Sequence, residues 1–325
     1  MTTASEVRST PITVLVVGGT GESFPGDPRI EVSGLLQSVT DELDERFVCR
    51  WIGYPASYGP TPQRRGMSYE DSVADGVAAL RRALCATSTP IMVIGYSQGA
   101  VVIREALHGW SARGDVDRII GVGLVADPHQ PPGVVDGCHG WGVAGPGSPL
   151  PQGIPAFWVG NPDDVICNAS PDSLIRDIAD LTAAMTLGDT MRWSRSVVET
   201  VCHNAFQNAH RTALGPRQWR RDIDRLRTAG REVLGYLPRR VGWGSRTLLN
   251  QIGGRHTSYS VESYRHTSIT NADSTGCQAL SRWMQVQATF TDAAAPTSTD
   301  AVAPTNADTM MADAQTDGDR RQSAA

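Results

Sequence analysis

Two rhythms of apolar residues run along the chain. Short, largely apolar runs, rich in valine and isoleucine, occur at Ile12–Val17, Phe47–Ile52, Ile91–Ile94, Arg118–Val125 and Ile154–Val159. Most close on glycine, aspartate or asparagine, and they predict strands with both faces buried. Between them the apolar spacing lengthens to three and four. Val32, Leu35, Leu36, Val39 and Leu43 predict one surface helix, and Val73, Val77, Leu80 and Leu84 a second, opened by Ser68 with Asp71 three residues on as a capping box. Ala100–Leu107 reads as a third helix. Ser170-Pro171 opens a fourth, with Leu174, Ile175, Ile178, Leu181 and Met185 on one face. Strand and helix alternate four times over, which requires an α/β fold with a central parallel sheet covered by helices on both faces.

Outside that alternation the chain changes character. Asp127–Gly153 is a long glycine- and proline-rich stretch without periodicity, predicted to be functional surface. Residues from about 190 to 250 are mostly helix-compatible, so 171–250 reads as a helical insertion. From about 291 the text is Ala/Thr/Asp/Pro without any period, a disordered tail. The division is therefore a folded domain over 1–290 and a tail over 291–325.

Composition narrows the class. A net charge of −5 without a clustered basic stripe argues against nucleic-acid binding, and every basic residue except histidine is arginine. No run approaches the ~20 apolar residues of a membrane span. Met1–Arg8 has neither a basic nor an apolar leader segment, so no secretory signal is expected. The six cysteines, at 49, 85, 138, 167, 202 and 277, lack metal-site spacing. Cys49 and Cys85 are expected as buried thiols; Cys138 and Cys167 lie in loops, where they either pair or stay reduced. His129 and His139 have no third ligand spaced to join them, so no metal is expected. No cofactor is expected either, because G-x-G-x-x-G and a P-loop lysine are both missing. A monomer is the expected state.

One motif carries chemistry. Gly95-Tyr96-Ser97-Gln98-Gly99 follows the Ile91–Ile94 run and precedes a helix, the strand–turn–helix setting of a nucleophile elbow. A side chain at either glycine would collide with the adjoining strand or helix. The elbow exposes the Ser97 hydroxyl, and the helix behind it favours the negative charge of an attacked carbonyl. Two backbone N–H groups would form the oxyanion hole, those of Thr20, in the loop Gly18-Gly19-Thr20-Gly21 after the first strand, and of Gln98. An activated serine needs a base and a group to orient it. Asp163-Asp164, just past the Ile154–Val159 run, supply the acid, with Asp164 preferred and Asp163 the alternative. Among the histidines after the acid, His203 and His210 sit seven apart in helical text and read as structural. His256, in the loop Gly253-Gly254-Arg255-His256, is the preferred base; His266, in the repeated Arg265-His266-Thr267-Ser268, is its rival.

The elbow Gly95–Gly99 resembles that of cutinase-like serine esterases, and Asp164-Val165-Ile166-Cys167 is similar to their acid motif. About ninety residues separate Asp164 from His256. That layout, together with Asp127–Gly133, Gly142–Pro146 and His256-Thr257-Ser258-Tyr259, resembles the lysin B family, phage esterases that cleave mycolylarabinogalactan. The resemblance spans roughly residues 12 to 290. It implies an α/β-hydrolase fold and a triad of Ser97, His256 and Asp164 acting through an acyl-enzyme. The implied substrate is the mycolic acid–arabinogalactan ester or another long-chain ester lipid. The implied place of action is the cell envelope, reached from the host cytoplasm at lysis. A cutinase- or lipase-like esterase of a phage tail, or a secreted actinobacterial enzyme, is the alternative. The helical insertion then becomes a lid for a long acyl chain.

Overall fold

The computed structural model describes residues 10–110, 116–171, 173–183, 216–243, 246–264 and 273–294, with the single positions 185, 194, 195 and 199. Five strands form one parallel sheet in the order β2-β1-β3-β4-β5. They are β1 (Ile12–Val17), β2 (Phe47–Trp51), β3 (Ile91–Tyr96), β4 (Ile119–Val125) and β5 (Ala156–Val159). All six residues of the central β3 are buried, as its unbroken apolar text requires of a strand covered twice. Helices α2 (Tyr69–Ala86) and α3 (Gln98–Leu107) cover one face, where Leu80, Leu84, Val101 and Val102 meet Leu15, Val93 and Val122. The other face packs Leu36 and Val39 together with Cys277, Leu280 and Met284 against Val14, Met92 and Ile94. This is the parallel sheet covered on both faces that the alternation predicts, in the α/β-hydrolase-like form that the resemblance implies.

Local signals explain the boundaries. Ser68 caps α2 by accepting the Asp71 N–H at 3.1 Å, and its hydroxyl donates to the Asp71 carboxylate at 2.6 Å. The helix expected over Val32–Leu43 shrinks to a single turn, α1 (Gln37–Thr40), flanked by hydrogen-bonded turns. Leu36 and Val39 are buried and Val32, Leu35 and Leu43 half-buried, but the chain there is held from outside. Glu22 accepts the Leu35 N–H at 2.7 Å, and Asp27 gathers Ser23, Arg29 and the Trp51 indole. The fourth helix, α4 (Leu174–Thr182), is capped by Ser173 and not by Ser170-Pro171.

Asp127–Gly153 is braced and not loose surface. Buried Arg104, on α3, donates to Asp127 at 2.8 Å, and Arg176, on α4, donates to the carbonyls of Trp141, Gly142 and Ala169. The loop in turn supports the acid segment through Val143 N–H to Ile166 O at 2.8 Å. The helix-compatible stretch holds α5 (Pro216–Tyr236), but its last part is an antiparallel hairpin of β6 (Arg240–Trp243) and β7 (Arg246–Leu249). A 3-10 helix spans Arg255–Ser260, and α6 (Gly276–Ala294) closes the described chain. Helix α6 was not predicted. Its inward residues Cys277, Leu280, Met284 and Ala288 keep helical spacing, but the text is too weakly apolar to announce it. It also carries regular structure to Ala294, past the 290 boundary; the rest of the tail lies outside the described residues, as do His203, His210, His266 and Cys202. Cys49 is half-buried and Cys85 exposed, because Cys85 falls on the outer side of the last turn of α2; the expectation of two buried thiols fails there.

Candidate active site

Parallel strands bring their C-terminal ends to one edge, and that edge is where loops can converge on a ligand. Register places Val17 of β1 beside Gly95 of β3, and Val125 of β4 beside both Tyr96 and Val159 of β5. The loops leaving β1, β3 and β5 therefore start side by side. They carry Thr20, Ser97 and Asp164.

Ser97 sits at φ 53°, ψ −116°, a conformation that costs a residue with a side chain about 1–3 kcal/mol. Its N–H donates to Val125 O at 2.9 Å and its carbonyl accepts from Ala100 N–H at 3.0 Å, so both sides of the turn are pinned. The flanking glycines are needed for the reason inferred from the motif. A Cβ on Gly99 would lie 2.2 Å from Val17 O, and one on Gly95 would lie 2.6 Å from the Ile103 side chain and 2.7 Å from the backbone of Gly99.

His256 Nε2 lies 3.0 Å from Ser97 Oγ, and His256 Nδ1 lies 2.9 Å from Asp164 Oδ2. Asp164 is completely buried. Its Oδ1 accepts the Ile166 N–H at 3.0 Å, and its Oδ2 also accepts the Tyr259 hydroxyl at 2.7 Å. Asp163 is exposed, its own N–H tied to Asn161 Oδ1, and it does not meet the imidazole. The structure thus brings together Ser97, His256 and Asp164, and leaves Asp163 aside. His129 is held by Gly145 O at 2.9 Å and His139 is exposed. No group of three or more metal-ligating side chains occurs among the described residues.

At the neighbouring loop, Thr20 Oγ1 reaches Gln98 Oε1 at 3.3 Å, and Gln98 Nε2 donates to Ser57 O at 3.0 Å. The Gln98 side chain is spent on these contacts and is buried. What Gln98 and Thr20 can offer a ligand is backbone N–H, at the start of α3 and in the facing loop.

Three tyrosines around the base escaped the sequence reading. The Tyr96 hydroxyl donates to His256 O at 2.8 Å, and its ring lies 5.1 Å from the imidazole, nearly parallel. Tyr236, at the end of α5, places its ring 5.3 Å from the same imidazole. Tyr259 completes the acid's environment. Burial, and then the Asp164 charge, push the Tyr259 hydroxyl well above the usual phenol range, so it stays a proton donor. The residue after Ser258 offered one signal, since a tyrosine three positions past a base on a 3-10 turn returns to the same side. Cys167 is a buried free thiol touching the Tyr259 hydroxyl at 3.5 Å; burial and the neighbouring Cys138 thiol raise its pKa. No disulfide joins Cys138 to Cys167.

The profile of the PE-PPE domain matches residues 48–164, a span that includes Ser97 and Asp164 and stops short of His256. No curated protein sequence matches the chain. Among solved structures, the chain is similar to a cutinase-like protein from Cryptococcus sp., at 18% identity over 58% of this chain and 90% of that one, with a TM-score of 0.37. It is also similar to an acetylxylan esterase, at 19% identity over 60% of this chain and 99% of that one, with a TM-score of 0.37.

Proposed function

We propose that this chain is a serine esterase that hydrolyses the ester between mycolic acids and arabinogalactan in the bacterial envelope during phage lysis. The observation that carries the chemistry is the continuous relay of Ser97 Oγ, His256 and buried Asp164, at 3.0 and 2.9 Å, on a strained elbow. Ser97 Oγ attacks the ester carbonyl while its proton passes to His256 Nε2. Asp164 accepts the Nδ1–H, fixes the tautomer and stabilises the imidazolium without taking the proton itself. The N–H groups of Thr20 and Gln98 receive the negative oxygen as the carbonyl becomes tetrahedral. Collapse breaks the bond to the alcohol, which leaves with the proton held on Nε2. Water, deprotonated by the same nitrogen, then repeats the attack on the acyl-enzyme and frees the acid.

Support for the long-chain substrate comes from the resemblance of the motifs to lysin B and from the insertion over about 171–250. The sheet edge already holds the nucleophile and oxyanion donors, so that length is unnecessary for the bond-breaking step. We assign it to the acyl chain, and assign the protein to the host cytoplasm until lysis and to the envelope afterwards. The test is Ser97→Ala, measured on p-nitrophenyl butyrate, p-nitrophenyl palmitate and mycolylarabinogalactan. Turnover should fall at least 10³-fold on all three with the melting temperature unchanged. Wild type that cleaves the p-nitrophenyl esters but releases no mycolic acid would keep the esterase and discard the substrate.

A further inference from the structure

Helix α5 is amphipathic, yet its apolar side faces outward. Arg225 and Ala229 are buried, whereas Ile223, Leu226, Val233 and Leu234 are exposed, Leu226 by 61%. Spacings of three, seven and one place these four on one side of the helix. The hairpin also exposes leucines, Leu248 by 56% and Leu249 by 70%, one on each of its faces. The two elements are fastened together: Asn250 Nδ2 donates to Leu234 O at 2.7 Å, and Gly254 N–H to Leu237 O at 2.7 Å. A two-stranded hairpin exposing leucines is marginal on its own.

The charge of this region is equally distinctive. Residues 216–255 hold ten arginines against three carboxylates, a net +7 in a chain whose total is −5. The absence of a basic stripe expected from composition is thereby corrected. Arg227, Arg231, Arg239 and Arg240 are all exposed. Exposed leucines bordered by arginines are the chemistry of a segment that lies on an anionic lipid surface, its apolar side among the acyl chains and its guanidiniums at the headgroups. No described helix is long and apolar enough to cross a membrane. The same helix ends in Tyr236 against His256, so its C-terminal end lies beside the site.

We infer that the outer face of α5 and the β6–β7 hairpin form a peripheral docking surface for anionic lipid bilayers. The inference does not rest on the esterase chemistry, because binding can be read with Ser97→Ala as well as wild type. The experiment is co-sedimentation of the full chain with vesicles of phosphatidylcholine alone and of phosphatidylcholine with one quarter phosphatidylglycerol, alongside size-exclusion chromatography. Partitioning should rise at least tenfold with phosphatidylglycerol and fall again in 0.5 M salt. Leu226→Ser/Leu234→Ser and Arg227→Glu/Arg231→Glu should each lower it about tenfold, while the melting temperature stays at the wild-type value. Equal partitioning on the two vesicle types, or variants that bind as wild type does, would overturn the proposal. So would a wild-type dimer that the leucine variant converts to monomer without any vesicle binding, since a second copy would then be what covers the face.

Discussion

Tyr259→Phe isolates one hydrogen bond at the heart of the site. The substitution removes only the hydroxyl, leaves no cavity larger than an oxygen, and keeps the buried ring in place. Asp164 Oδ2 receives two donors, the Tyr259 O–H at 2.7 Å and His256 Nδ1–H at 2.9 Å. The Ile166 N–H on Oδ1 survives the change. A hydrogen bond to a charged group contributes about 1.5–3 kcal/mol. Part of that loss falls on folding and part on the geometry of the imidazole. We expect kcat to fall about tenfold, which corresponds to ~1.4 kcal/mol on the barrier. The split between kcat and KM separates this role from a purely structural one. The other groups facing His256 are Ser97, Tyr96 and Tyr236, and none of them replaces the lost donor on Asp164. The loss should therefore fall on kcat and leave KM for the butyrate ester unchanged. The assay is p-nitrophenyl butyrate hydrolysis over a range of substrate concentrations, with thermal unfolding on the same samples. An unchanged kcat, or an activity loss that tracks a lower Tm, would refute the reasoning.

The remaining expectations follow from the same geometry. Asp164→Asn should cost about as much as Ser97→Ala, and Asp163→Asn less than threefold, in kcat on the butyrate ester, because only Asp164 meets the imidazole. His256→Ala and His266→Ala should divide in the same way; near-normal turnover in His256→Ala would move the base elsewhere. Asp27 gathers Arg29, Ser23 and the Trp51 indole, and chiefly the Arg29 hydrogen bond holds its carboxyl far below the usual range. A depressed value stabilises the fold above the unfolded pKa of ~3.9, and that contribution is lost as pH falls below it. Asp27→Asn should therefore cost about 2 kcal/mol at pH 7 in denaturant melts, with the gap to wild type closing below pH 4.

Much of the frame was legible because buried parallel strands have unambiguous text. Ile12–Val17 and Ile91–Ile94 have no polar residue that could face water except Thr13, so their place in the sheet follows from burial alone. The elbow was equally readable, since the geometry needs glycine at two fixed offsets and the sequence has both. Asp164 and His256 were reachable through order along the chain, although Asp163 could be set aside only once its exposure was seen. What stayed hidden depends on tertiary partners. Tyr96, Tyr236 and Tyr259 come from three elements and share only the imidazole and its acid. Helix α6 is stabilised by the sheet it covers more than by its own apolar content. The hairpin at 240–249 was masked by arginines and leucines that are good helix formers. Its strand form follows from the antiparallel pairing of β6 with β7 and from Asn250 fastening it to α5.

The spacing of the relay has a consequence for how the molecule reaches its working form. His256 lies 159 residues from Ser97 and 92 from Asp164 along the chain. The sheet from β1 to β5 contains contacts of much shorter reach, and most of the apolar core lies within it. Closing long loops costs entropy before their contacts return anything. The sheet can thus assemble first, burying Trp51 and Trp110, while the imidazole waits on α5 and the 3-10 helix to dock. Turnover is then a late reporter of refolding, trailing tryptophan burial, and the nucleophile spends that interval on its strained turn without a base beside it.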